Sequence, residues 1–513
     1  MTDSIIIGGG HNGLVCAAYL AKAGQKVTVL EAAEQVGGAA ITREFAPGFR
    51  VSGCAHLLYL LADDIQKDLR LNTQGLRMAK SDMATIALNE NGDHIQISGA
   101  SIEGNGISGA DKSAMVEYHR SMSRFAAIVA GLSQQVPPRL GTKSKTDLLA
   151  LARLGWNTRK LGRDDMREFL RITGINMFDI LQENFDNELL KGALSLDGVL
   201  GSFLGVRSNN SVFCALQRLS NGGVYQQPAG GMGAVSDAIA ASARQYGAVI
   251  RTSSPVKRIL MDFDRVCGVE LEDGEHIEAA RVVSSADPKT TFNQLLGTQH
   301  LEAGFANKIK NIRCKGHVAR LHLALDGLPQ FTGLDNRLNG ERLVIAPSLE
   351  YVEHAFNHAK YGEYSKQPVI EISLPSVNDE NLAPPGQHVL SANVQWAPID
   401  LKRGWAEAKS DFTETVIDVI ARYAPDIRSK ILHLELLTPA DIEKDFRISG
   451  GHWHHVELAM DQFLMMRPVP GAAQYAAPVN GLWLCGAGSH PGGGVMGCAG
   501  RNAARAIIKS NRS

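Results

Sequence analysis

Seven cysteines are scattered through the 513 residues, and no two share the C-x-x-C or C-x4-C spacing of a redox disulfide or zinc site. That spacing argues against both and for a reducing compartment. No apolar run approaches the roughly 18 residues that a membrane-spanning helix needs. The formal net charge is only −1, which leaves no basic footprint for nucleic acid. Internal repeats and low-complexity tracts are missing too. The first strand is expected from residue 5, with no room before it for a signal or transit peptide. These absences leave a cytoplasmic enzyme, with peripheral membrane contact and self-association both left open. Hydrophobic residues make up 44% of the chain, enough at this length for a large core in two or more domains.

What is present is concentrated at the two ends. "IIIGGGHNGLVCAAYLAKAGQKVTVLEAAEQVGGAA" (5–40) opens on a short apolar strand, Ile5-Ile6-Ile7. Gly8, Gly10 and Gly13 follow as G-x-G-x-x-G, then a helical pattern from Leu14 to Ala23 that Gly24 closes. Lys26 to Leu30 reads as the second strand, and Glu31 ends it. The order of strand, glycine turn, helix, strand and acid is the dinucleotide-binding fingerprint. The glycines allow a tight turn, close approach of a pyrophosphate, and close helix–strand packing. Phosphate rests on the helix N-terminus, and Glu31 accepts ribose hydroxyls. An acid at that position disfavours a 2′-phosphate. Gly37-Gly38 mark a second close approach of backbone to ligand.

The C-terminal "GLWLCGAGSHPGGGVMGCAGRNAARAII" (481–508) reads as strand, glycine-rich turn and closing helix, beginning near Val495. A nicotinamide site needs no such second glycine cradle. A flavin does, because its ring extends beyond the first fingerprint, and a helix N-terminus beside it would favour the reduced ring. The cofactor is therefore read as noncovalent FAD. No second complete fingerprint appears, so the electrons are expected to come from an organic substrate and to leave to oxygen or a quinone.

Between the ends, "PGFRVSGCAHLLYLL" (47–61) reads as strand and then helix, and residues from about 113 to 222 are mostly helical in pattern. A β-meander is expected over 253–288, with a turn at Asp273-Gly274. Its last segment, "RVVSSADP", would return to the nucleotide-binding sheet. Residues 300–470 mix strands ("GHVARLHLALDGL", 316–328) with helices ("WAEAKSDFTETVIDVIARYA", 405–424).

The fingerprint, "GGMGAVSDAI", "VVSSADP", "PSVNDENLAPPGQHVLSANVQWAP" (375–398) and "LCGAGSHPGGGVMG" resemble the phytoene desaturase-like flavoproteins over nearly the whole chain. Within that family "GGAAITREFAPGF" is most similar to the branch called pyridine nucleotide-disulfide oxidoreductase domain-containing protein two. Ala39 stands where the carotenoid enzymes usually carry arginine. The resemblance implies an α/β fold: a discontinuous GR2-type, Rossmann-like FAD domain with a mixed α+β substrate domain. FAD-binding parts are expected at 1–75, 225–298 and 475–513, a mainly helical cap at 76–224, and a mixed substrate domain at 299–474. It further implies that Gly8, Gly10, Gly13, Glu31, Gly37 and Gly38 bind the ADP and ribityl portions, with His11, Asn12, Ala32, Ala39 and Ala40 beside them. Val256 would meet the adenine. Ala286, Gly488, Ser489, Val495 and Met496 would meet the rest of the cofactor. The implied activity is dehydrogenation or isomerisation of an apolar, isoprenoid or lipid substrate, with an amine oxidase-like activity or a flavin-binding scaffold as alternatives.

Three further features stand out. Cys485 and Cys498 flank the expected flavin, but free cysteines of this kind are usually core residues. His452 and His454 in "HWHH" would share a strand face, yet a third metal ligand is not apparent, and no metal is expected. His490 in "GSHPGGG" is the candidate polar group beside the ring, with loop fixation an equal reading.

Overall fold

The computed structural model describes residues 2–139, 141 and 143–511. Five short strands form one parallel sheet in the order Val249–Arg251, Val27–Leu30, Ser4–Ile7, Val282–Ser284, Leu482–Leu484. They come from three widely separated segments of the chain. Ile5, Ile6, Val29, Val282 and Val283 are almost fully buried, as strands covered on both faces must be. The helices His11–Lys22, Gly233–Gln245 and Cys498–Ser510 pack together on one face. Their buried sides are lined with alanine, including Ala17, Ala18, Ala240, Ala243, Ala503 and Ala504, which lets the backbones come close. The three-stranded meander Val256–Asp262, Arg265–Leu271 and His276–Glu278 leads back into this sheet through Val282.

A second sheet has eight strands in the order Ile431–Leu437, Val318–Leu325, His388–Gln395, Val369–Ser373, Arg342–Ile345, Thr85–Ala87, Ile95–Ser98, Ser101–Gly104. Alternation splits its central strands in two. Leu321, Leu323, Ile370, Ile372, Leu390, Ala392 and Val394 point into an apolar core beneath the helix Trp405–Tyr423. The opposite face carries Arg320, His322, Glu371, Ser391 and Asn393, all buried. Helices from Gly109 to Arg218 pack into a separate core that reaches Val344, Val352 and Trp396.

Three local readings are corrected. Residues 53–62 are extended and irregular, not helical. The Ala55 N–H donates to Ala39 O, and Leu58 exchanges two backbone bonds with Gln226, so the amides a helix would use are engaged elsewhere. The closing helix begins at Cys498 rather than near Val495, because Gly494, Val495 and Gly497 all have positive φ (109°, 53° and 74°). "HWHH" is a turn, not a strand: the His455 N–H donates to His452 O at 2.7 Å and His455 has φ 64°.

Candidate active site

The first glycine turn shows which of its members packing requires. Gly8 has φ +91°, and a Cβ on Gly13 would lie 2.2 Å from the Gly8 carbonyl oxygen. Gly10 is different. A Cβ there would find nothing closer than 4.0 Å, so packing within the chain does not demand glycine, whereas approach of a ligand does. The helix that follows has no side-chain cap at its N-terminus, which leaves its first amides for an anion. In its first turn Asn12 Nδ2 and His11 Nε2 are buried without a hydrogen-bond partner. The second cradle is tied to the first, with the Gly37 N–H donating to Gly9 O at 2.9 Å.

Glu31 does more than wait for a ribose. Its Oε2 accepts from the Gly9 N–H at 2.6 Å and its Oε1 from the Ala33 N–H at 2.9 Å. The carboxylate thus holds the glycine turn in shape, and its remaining lone pairs face the cavity.

That cavity encloses about 500 Å³, within the range of cofactor sites. Gly8, Gly10, His11, Asn12, Glu31, Ala32, Gly37, Gly38, Ala39, Val256 and Ala286, all anticipated from the sequence, line it. Trp453, His455 and Ala487 close the far end. Beyond them lies a smaller cavity of about 70 Å³, which shares His11, Ala39 and Trp453 and adds Ala40 and Val495. A chain of backbone amides, an uncapped helix, two unpartnered side-chain groups and an elongated space fit a dinucleotide with a further ring system.

Five anticipated residues line neither cavity. Gly13 sits behind the turn. A Cβ on Gly488 would strike Pro288 at 2.5 Å. Ser489 is 2% exposed, and its carbonyl accepts from Arg467 Nε at 3.2 Å. Met496 is buried in the core with Cys16, Cys485 and Cys498, so neither flanking cysteine borders the cofactor space. His490 is 2% exposed, and its Nε2 donates to Leu132 O at 3.0 Å. It lines a third cavity instead, between two helices of the helical region.

Arg467 organises the far wall. Fully buried, it donates to six backbone carbonyls: His454, Val456, Glu457, Gln462, Ala487 and Ser489, at 2.8–3.2 Å. Burial lowers its pKa to about 9. One guanidinium therefore joins the loop after His452 to the loop after Leu484.

The wall of the small cavity opposite Val495 is ionic, and local motifs in the sequence do not announce it. Arg218, Glu371, Asn393, His56 and Tyr59 line it. Glu371 Oε1 accepts from Arg342 Nε at 2.6 Å and Arg218 NH2 at 3.1 Å, and its Oε2 accepts from Asn393 Nδ2 at 2.7 Å. Arg342 also pairs with Asp197 at 2.6 Å. Burial alone would raise the Glu371 pKa, but Arg342 and Arg218 outweigh it and hold the carboxyl well below its usual range. Arg320 donates to Asn393 Oδ1 at 2.7 Å and to His56 Nδ1 at 2.8 Å. Because a guanidinium only donates, neutral His56 carries its proton on Nε2. Burial, and then Arg320, lower the His56 pKa to about 3. The signal for this wall lay in strand alternation. "VARLHLAL", "VIEIS" and "HVLSANVQ" each place their polar members on a single face, and register sets Arg320 beside Asn393 and Asn393 beside Glu371.

The histidines of "HWHH" take separate places: His454 borders the small cavity and His455 the large one. Among the described residues, no three His, Cys, Asp or Glu side chains gather as a metal site.

Comparison with known proteins follows this geometry. Residues 6–69 match the NAD(P)-binding Rossmann-like domain, and residues 122–508 match the flavin containing amine oxidoreductase family. The chain is 34% identical to the mouse (Mus musculus) pyridine nucleotide-disulfide oxidoreductase domain-containing protein 2, covering 99% of this chain and 93% of that one. It is 27% identical to one component of the limonene dehydrogenase of Castellaniella defragrans, over 99% and 93% of the two chains. A phytoene desaturase (lycopene-forming) of Pseudescherichia vulneris is 26% identical over 63% of each chain. In three dimensions it resembles an oxidoreductase from Methanosarcina mazei, with TM-score 0.61, 18% identity, and 99% and 100% of the two chains covered. The paired glycine cradles, the elongated cavity and the match across most of the chain lead to one conclusion: the protein belongs to the flavin containing amine oxidoreductase family and is an FAD-dependent oxidoreductase.

Proposed function

We propose that this enzyme dehydrogenates an apolar substrate, of isoprenoid or lipid character, seated in the small cavity beyond the cofactor. The observation that carries the reading is the state of the cavity's charges. Glu371 and Arg218 are bonded to each other and, with Arg342 and Asn393, form a closed set. An ammonium substrate would need a carboxylate with free valence, and Glu371 already accepts three hydrogen bonds. The rest of the wall is Ala39, Ala40, Leu57, Tyr59, Leu200, Trp453 and Val495, suited to hydrocarbon. Bound FAD supplies a hydride acceptor at the ring nitrogen N5. The chain itself contributes position and exclusion of water, which account for much of the rate in such reactions. Limonene and phytoene, named in two of the relatives, are isoprenoid hydrocarbons, which supports this substrate class.

The cofactor is held without a covalent bond, and the electrons leave to oxygen or a quinone. No described helix is long and apolar enough to cross a membrane, and all seven cysteines are free. We place the enzyme in the cytoplasm.

The test is anaerobic stopped-flow absorbance of the oxidised flavin band, with panels of monoterpenes and longer isoprenoids, primary amines, NADH and NADPH. Bleaching by a member of the first panel is expected. Fast bleaching by amines or by either nicotinamide would replace this reading with an amine oxidase or a reductase.

A further inference from the structure

The helix Lys145–Arg159 turns part of its apolar surface outward. Leu149 is 70% exposed, Trp156 60% and Leu148 50%. Leu149, Ala152 and Trp156 recur at the three- and four-residue spacing of one helix face. Exposed Lys145, Arg153, Arg159 and Lys160 surround that stripe. The helix has one acid, Asp147, which is part-buried and accepts from Gln474 Nε2 at 3.0 Å. An outward apolar stripe inside a cationic rim does not suit water. At 15 residues the helix is too short to span a bilayer.

A second observation lies directly beneath. A cavity of about 310 Å³ opens between this helix and Gly109–Ser133, and Arg153 and Lys160 sit at its margin. Its lining is mainly apolar, including Ile128, Leu132, Val136, Leu154 and Leu161, with His490 also bordering it. Two cations therefore belong both to the exposed rim and to a space that accepts a hydrocarbon chain.

We propose that Lys145–Arg159 docks this enzyme on an anionic lipid bilayer, lying in the plane of the headgroups with Leu149 and Trp156 inserted and the cations on lipid phosphates. Amphipathic helices with such a rim bind in this manner, by apolar burial plus attraction to anionic lipid. A second copy of the chain fits less well, since pairing this face with itself would bring eight like charges together (four from each copy). Nucleic acid fits less well because the centre of the face is hydrocarbon.

The experiment is co-sedimentation of the FAD-loaded protein with vesicles of phosphatidylcholine alone, or with about 30% phosphatidylglycerol added. Association with the anionic vesicles is expected, reversed as salt shortens the range of the charges. The double variant Leu149→Glu/Trp156→Glu should weaken partition by about tenfold or more, and Arg153→Glu/Lys160→Glu by a similar factor. Flavin content reports that each variant is folded. Failure of wild type to bind either vesicle, or binding that the variants leave unchanged, would overturn the proposal. So would light scattering that shows a wild-type dimer becoming a monomer in Leu149→Glu/Trp156→Glu. Partition is read without turnover, so its failure is separate from any failure of the substrate reading.

Discussion

Around the large cavity the contacts offered to a ligand come mostly from main chain: amides at Gly8 to Gly13, the Gly37-Gly38 turn, and a helix end without a cap. Across the small cavity they come from side chains, with Arg218, Arg342, Glu371 and Asn393 meeting from a helix and three strands. The first kind of site is damaged by adding atoms, the second by removing a charge. The first needs residues that are close in sequence. The second needs only that strands of a folded sheet lie side by side.

The sharpest way to break this comparison is to add one side chain to the first region. Gly13→Val would drive a Cβ into the Gly8 carbonyl, 2.2 Å away. Complete loss of bound flavin is expected, read as the ratio of flavin to protein absorbance after gel filtration. A holoprotein with normal flavin content would show that the turn can shift.

The matching test in the second region removes charge without changing shape. Glu371→Gln leaves Arg342 and Arg218 without their shared buried carboxylate, and breaking such a network typically costs about 3–5 kcal/mol. Denaturant unfolding should show this loss. A loss below about 1 kcal/mol would mean that Asp197 compensates alone.

How much could be read from the sequence follows the same division. The fingerprint, Glu31 and the returning "RVVSSADP" were legible, because each is a local run whose spacing has a direct physical meaning. Residues 53–62 were misread since their apolar spacing suits a helix, while their amides bond to Ala39 and Gln226, far away in sequence. Trp453 and His455 were seen only as part of "HWHH". Their place at the cofactor cavity depends on positive-φ turns at Gly450, Gly451 and His455. Glu371 and Arg342 looked like ordinary strand residues, because an ion pair buried between strands leaves no spacing rule behind.

A third test uses pH. His11, His56, His317 and His454 are buried and neutral, with pKa values lowered to about 4, 3, 3 and 3, by burial first in every case. Each folded value lies below that of the unfolded chain, so as pH falls below about 6.5 the unfolded state binds protons that the folded state refuses. Their contribution is complete above about pH 6.5. Below it each costs roughly 1.4 kcal/mol per pH unit until its folded pKa is reached. Unfolding midpoints should fall steeply between pH 6.5 and 4.5, and a flat profile there would show that these rings gain protons in the fold.

The smallest expected effect is at Glu31. Glu31→Gln keeps an acceptor for the Gly9 N–H but loses the charge, and charge-assisted hydrogen bonds exceed neutral ones by about 1 kcal/mol or more. FAD affinity should fall by about tenfold, measured by fluorescence titration of the apoprotein. Unchanged affinity would mean that Glu31 serves the turn and not the ribose.

Arg467 has a consequence beyond joining two loops. Its charge is held only by carbonyl dipoles, and after burial it is among the influences that lower the pKa values of His452, His454, His455 and His490. One permanent cation thus keeps the surrounding imidazoles out of acid–base exchange near neutrality. The reaction chamber is proton-silent on this side, an advantage for chemistry that moves hydride out of a C–H bond. Any inflection in turnover between pH 6 and 8 would then originate in the flavin, the acceptor or the substrate, and not in this wall.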